Sequence, residues 1–338
     1  MTRDMKDMRS GIQSGRFPKR LTACLAFTLM SGAAVAAPAP SGAPGANAAN
    51  PDPIKICTTD PKADCIMQPG PSTPIGAVFK PSYDAYLAMK AKAHGGTHHT
   101  ATDMPDWRGI WVRVGKPVFD VNQPGDISEG RVSAQLTPHG EQSFRKLLSD
   151  TAAGNEYDPI SDCLPAGFPR LLASLFQWEF VDTPGQTWWL YEQQAETRRI
   201  YTDGRGHVPD DEAYPLWDGD SIGFWDGDTL VVHTINVRPT YYQRSQPYYS
   251  DQTSTLERIR KSGPNQMEDD VTVWDPLNLA KPWHVVQHWR RITNADTRID
   301  MWSCSENANV AKTATGATQL LLPGEPGFRD PNTLTPNR

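Results

Sequence analysis

RRIYTDGRGHVPDDEAYPLWDGDSIGFWDGDTLVVHTINV, residues 198–237, sets the terms on which the rest of the chain is read. Two β-prone apolar runs, 221–225 and 228–237, flank Asp226-Gly227. An Asp-Gly pair between such runs is a strong hairpin signal, because both residues tolerate the positive φ that a tight turn requires. Pairing Trp225 with Asp228 places Asp220 directly opposite His233. Opposed Cβ atoms in an antiparallel pair lie about 5 Å apart, so this register predicts a cross-strand Asp–His hydrogen bond. Upstream, a strand-like run at 198–202 turns at Asp203-Gly204 into a polar loop carrying Arg205 and His207.

Working outward, the same grammar recurs. Residues 176–191 read as a strand, a Thr-Pro-Gly turn and a second strand, with Trp188, Leu190 and Glu192 on one face and Trp189 and Tyr191 on the other. If the Glu192 face is the inner one, burial makes this residue a candidate acid of raised pKa. Further strands are expected at 106–114, 256–260, 271–274, 284–292 and 298–302. Short helices are expected at 81–93, behind Pro81, and at 137–148, where Thr137 is suited to an N-cap and Pro138 to the first turn. Segment 239–249 reads as a long ordered loop, and the apolar knot 320–322 as an edge segment. Thirty prolines and 26 glycines, with little sustained helical period, favour a β-rich fold with many turns. The expected class is mainly β: an antiparallel barrel of calycin or lipocalin type, or a sandwich, with a few short helices. The G-x-W at Gly109–Trp111 is a weak sign of the first strand of such a barrel.

The first 36 residues combine six basic residues, an apolar run at 21–30 and an Ala-x-Ala site at 34–36, the pattern of a cleaved secretory signal. Removing them leaves 27 basic and 37 acidic residues, a net charge of −10. Such a balance argues against nucleic acid and against anionic lipid as partners, and no later run is apolar enough to span a bilayer. The expected location is therefore periplasmic or secreted. Residues 37–53, rich in Ala, Pro and Gly, read as a flexible linker, 54–310 as a single β-rich domain and 311–338 as an extended tail. Four cysteines remain after cleavage, and an even number in an exported chain suggests disulfides. The short loop between Cys57 and Cys65 favours their pairing, which leaves Cys163 with Cys304.

Four stretches carry a family resemblance: CLPAGFPR at 163–170, RRIYTDGR with His207, SIGFWDGDTLVV at 221–232, and Cys304 with Glu306-Asn307. Together they resemble a widespread group of exported, β-rich bacterial proteins of unestablished function, whose members read CLPxGxPR, RRIYTDGRxHP, GHSIGxWEGDTLVVDT and CxEN in that order. The resemblance implies export and a β fold but no reaction. This chain carries Asp220 where that group has His, and His233 where it has Asp. An Asp–His pair reversed across one rung implies a structural brace between strands rather than an imidazole aimed at a fixed atom.

Three functional readings follow. Eleven tryptophans suit a barrel that binds an apolar or aromatic small molecule, with Arg205, Arg170, Arg199, Tyr201, Trp188, Tyr241 and Tyr242 as candidate contacts. The second reading is an acid–base enzyme in which His207, Asp203 and Glu192 move protons and Arg205 steadies an oxyanion. The third is an envelope interaction module, favoured by the linker and the proline-bearing tail. His94, His98 and His99 invite a metal, yet their glycine-rich loop offers no carboxylate or thiolate at a matching spacing, so neither a metal nor a cofactor is expected.

Overall fold

The computed structural model describes residues 75–124, 131–155, 158–300, 302, 310–312 and 318–328. They belong to one compact unit, 59–338. The expected leader, the linker and the 57–65 disulfide lie outside the described residues, and so does Cys304, the expected partner of Cys163.

Helix α1 (Lys80–Lys92) comes first, then strand β1 (Ile110–Arg113) and helix α2 (Pro138–Ala152). There follow β2 (Gln177–Thr183), β3 (Gln186–Tyr191), β4 (Thr197–Tyr201), β5 (Asp220–Asp226) and β6 (Thr229–Ile235). After the small hairpin β7 (Thr240–Tyr241) and β8 (Tyr248–Tyr249) come β9 (Ser254–Gly263), β10 (Gln266–Trp274) and β11 (Trp283–Arg291). Strands β12 (Val310–Lys312) and β13 (Thr318–Leu320) complete the order. Nine strands close a barrel in the order β1-β11-β10-β9-β6-β5-β4-β3-β2, with β2 returning to β1. The barrel alternative is thus the correct one, but the barrel is mixed: β4 and β5 run parallel and share only two rungs. Their connection is the loop 202–219, long enough for the crossover that parallel neighbours require.

Three expectations are corrected. Residues 298–300 form no strand. Segment 239–249 is partly regular, because Thr240 and Tyr241 pair with Tyr249 and Tyr248. The apolar knot does not join a barrel edge: Leu320 pairs with Val310 in a separate two-stranded ribbon.

The lumen is filled by side chains. Trp107, Trp111, Trp178, Trp189, Trp225 and Trp289 are buried in one cluster, with edge-to-face contacts such as Trp178–Trp189 at 5.7 Å and Trp107–Trp225 at 5.0 Å. One face of β3 (Thr187, Trp189 and Tyr191) points inward, leaving Trp188 and Leu190 on the outer face. Strand β5 is buried on both faces as far as Trp225, since α1 packs Tyr86 against Ile222, Phe224, Val231 and Leu256 outside the barrel. Ser82 and Tyr86 are the helix residues turned fully inward, whereas Leu87 is 42 % exposed. In α2, the Thr137 hydroxyl accepts the Gly140 N–H at 3.0 Å, the N-cap its sequence implies.

Candidate functional site

The β5–β6 hairpin forms, but in a different register. Asp226 pairs with Thr229, so Gly227-Asp228 are the central turn residues and only Gly227 has positive φ, at 58°. A glycine at the first central position is the II′ form of a two-residue hairpin turn. Asp220 consequently faces Ile235, and His233 faces Ile222. The direct Asp220–His233 pair does not exist. Each partner has moved by two positions, however, so both side chains keep the same outer face.

His207 fills the gap between them. Its Nδ1 lies 2.8 Å from Asp220 Oδ2 and its Nε2 lies 2.7 Å from His233 Nδ1. His233 Nε2 lies 2.9 Å from Ser82 Oγ on α1, which is 2.7 Å from Ser254 Oγ on β9. The Val208 N–H also donates to Asp220 Oδ2, at 2.8 Å. A buried chain Asp220–His207–His233–Ser82–Ser254 therefore ties the long loop, three strands and the helix together. Burial, and then the neighbouring His207, push the His233 pKa well below the ordinary histidine value. His233 is therefore held neutral, with one N–H and one acceptor nitrogen. The Phe79 carbonyl lies 2.8 Å from Ser82 Oγ and competes with His233 for its single hydroxyl proton. Tyr83 and Tyr86 cover His233 at 5.4 and 5.7 Å between ring centroids. Ser82 is fully buried, so its hydroxyl is not presented as a nucleophile.

The other candidates do not gather round His207. Asp203 is gripped by Arg205, whose Nε and Nη2 donate to it at 3.0 and 2.6 Å, while the guanidinium lies 4.0 Å over the Tyr201 ring. Glu192 accepts the Gln177 N–H at 2.9 Å, extending the β2–β3 ladder. Asp203 lies beyond the opposite end of β3, roughly 20 Å away at the ordinary strand rise. Arg199 is exposed and Trp188 half-buried outside the barrel. Tyr242 is buried in the core, whereas Tyr241 borders an open cleft beside α2 and lies 4.6 Å under the Arg170 guanidinium.

A more enclosed cleft opens at the seam where β4 stops and β5 continues. The Thr97 N–H donates to the Trp225 carbonyl, the Gly227 N–H donates to Thr97 Oγ1 at 2.9 Å, and His99 Nε2 lies 3.0 Å from the Gly227 carbonyl. Segment 95–99 thus takes up the free edge of β5. Between it and the β2–β3 turn is a cavity of about 310 Å³, bordered by Lys90, His98, Asp203, Phe224 and Trp225 among others. Gly96, at φ 107°, holds this wall close, since a Cβ there would lie 3.0 Å from the Trp225 carbonyl and 3.2 Å from the Phe224 ring. Among the described residues six buried indole N–H groups lack a partner, and Trp225 is the one of these tryptophans that lines this cleft. Among the described residues no three His, Cys, Asp or Glu side chains are grouped so as to hold a metal, and no helix is long and apolar enough to cross a membrane.

Sequence reasoning missed Ser82 and Ser254, and it missed a carboxyl pair. Glu196 accepts the Ala166 and Gly167 N–H groups at 2.9 and 2.8 Å, pinning the CLPAGFPR segment to the start of β4. Burial, and then the neighbouring Asp218, raise the Glu196 pKa well above the ordinary value. Burial raises that of Asp218 too. Nothing local in the sequence marks that pair, because its members meet only when the loop closes over the barrel end. No family model matches the chain, and no curated protein matches it.

Proposed function

We propose that this is an exported binding protein for a small, neutral aromatic or apolar molecule, and that the molecule occupies the seam cleft rather than the lumen. The observation that carries the reading is Trp225, a buried indole on the cleft wall whose N–H has no acceptor. Buried indole N–H groups ordinarily find a partner, and a ligand carbonyl or hydroxyl would supply one here. Phe224 adds an apolar wall, and Lys90, His98 and Asp203 form a polar margin. About 310 Å³ lies at the small end of ligand sites and suits a one- or two-ring molecule.

The test is a thermal-shift titration of the full chain with indole and with phenol. At a hundredfold excess over Kd, binding should raise Tm by roughly 5 °C. The variant Gly185→Phe sets a ring at the cleft mouth, on a turn whose φ any residue can adopt. It should fold normally and lose the shift. Stabilisation that survives in Gly185→Phe, or a flat titration of the wild type, ends this reading.

A further inference from the structure

At the opposite end of the β2–β3 hairpin lies a second cleft, of about 360 Å³. It is bordered by Arg170, Ser174, Leu175, Phe176, Gln193 and Arg244 among others. Arg170 closes the CLPAGFPR stretch and opens a short 3₁₀ turn, Arg170–Ala173, in which every residue is buried. That burial draws the guanidinium in with it, leaving Arg170 2 % exposed.

The acceptors available to Arg170 are fewer than its donors. Nη2 donates to Asp158 Oδ1 at 2.8 Å, whereas Nε and Nη1 have no partner. Three of five N–H bonds are thus unsatisfied in a buried cation. Asp158 does not cancel the charge alone, because its Oδ2 accepts from Arg244 Nε at 2.7 Å and its Oδ1 also accepts the Ile160 N–H at 3.0 Å. Leaving such donors empty is costly, and charge-assisted bonds to an oxyanion are the strongest means of filling them. The flank is apolar and open, with Leu175 58 % exposed and Phe176 half-buried, both lining the same cleft as Arg170.

We propose that this cleft is an anion site for a small organic carboxylate, with Arg170 receiving the carboxylate and Leu175 and Phe176 covering the apolar remainder. A guanidinium beside an apolar shoulder matches an amphipathic acid better than a fully hydrated phosphate. This site is separate from the seam cleft and does not depend on it.

The full chain is titrated calorimetrically at constant ionic strength with sodium benzoate and, in parallel, with inorganic phosphate. Benzoate should bind saturably with one-to-one stoichiometry and at least tenfold more tightly than phosphate. Arg170→Lys, which keeps the charge but loses the planar donor array, should weaken benzoate about tenfold. Because Arg170 is buried, a second variant avoids it: Leu175→Glu changes only an exposed side chain and should weaken benzoate at least as much by repulsion. Gly185→Phe, which blocks the seam cleft, should leave benzoate binding unchanged. The proposal is overturned by no saturable benzoate binding, by phosphate binding more tightly than benzoate, by wild-type affinity in Leu175→Glu, or by loss in Gly185→Phe.

Discussion

His233 shows how one side chain acquires a property that its sequence neighbours do not announce. In LVVHT it is a polar residue in an apolar strand, and the hairpin rule gives it the correct face with the wrong partner. The error comes from the turn: Asp-Gly reads as the central pair, whereas here glycine alone takes the positive φ and the pair shifts to Gly227-Asp228. Strand parity survives that shift, so the grouping of Asp220 with His233 was legible and the intervening His207, delivered by an 18-residue crossover, was not. The pH consequence follows from burial. With its folded pKa pushed well below the usual 6.5, His233 stays neutral while the unfolded chain takes up a proton, so stability is lost as pH falls below about 6.5. His233→Gln should therefore lose less stability than the wild type between pH 7.5 and pH 5.5 in urea melts. An equal acid loss in both proteins would show that the titration lies elsewhere.

Elements with a strong local signal were legible and those made by closure were not. α1, α2 and the strands of the barrel lie close to where periodicity, proline and turn residues put them, because each carries its own pattern. The β4–β5 seam carries no such pattern. It exists because a barrel must close, and two parallel rungs are all that the crossover allows. The loop that enters β5 is consequently packed tightly. Gly219 has φ 67°, and a Cβ there would lie 2.7 Å from both the Ile235 carbonyl oxygen and Thr234 Cγ2. A non-glycine residue in a left-handed conformation costs roughly 1–3 kcal/mol before any clash. Gly219→Ala should therefore destabilise the fold by at least about 2 kcal/mol in denaturant melts, and it should also displace Asp220 and loosen the His207 contact. Gly204, with φ 89° and open space around it, is the matched control, in which alanine should cost only the conformational term. Equal losses at the two positions would mean that the seam is not tightly packed at Gly219.

Across the whole molecule the unexpected feature is a charged group in the lumen. Arg198 shares the inner face of β4 with Ile200, so its inward direction could have been read from strand parity; its partners could not, because Ser221, Thr234 and Glu257 come from β5, β6 and β9. The guanidinium donates to both oxygens of Glu257, at 2.9 and 2.5 Å, and stacks 3.6 Å from the Phe168 ring, where the CLPAGFPR segment plugs the barrel end. Asp269 stands beside this pair with both carboxyl oxygens buried and unpartnered. Burial, followed by the Glu257 charge, raises its pKa well above the ordinary carboxyl range, and Arg198 offsets this only in part. One guanidinium thus bonds one of two neighbouring carboxyl groups, and the other, Asp269, holds its proton to higher pH than an ordinary carboxyl group. In the unfolded chain Asp269 ionises near pH 4, so between that pH and the raised folded pKa folding returns a proton, and this residue's contribution to stability declines as pH rises through that window. Asp269→Asn keeps the shape and removes the titration. The variant should match the wild type near pH 4 and become progressively the more stable of the two towards pH 8, read as the gap between urea midpoints across that range. A gap that stays constant with pH, or that opens in favour of the wild type, would mean that Asp269 is ionised in the folded barrel and that Arg198 is shared between two carboxylates.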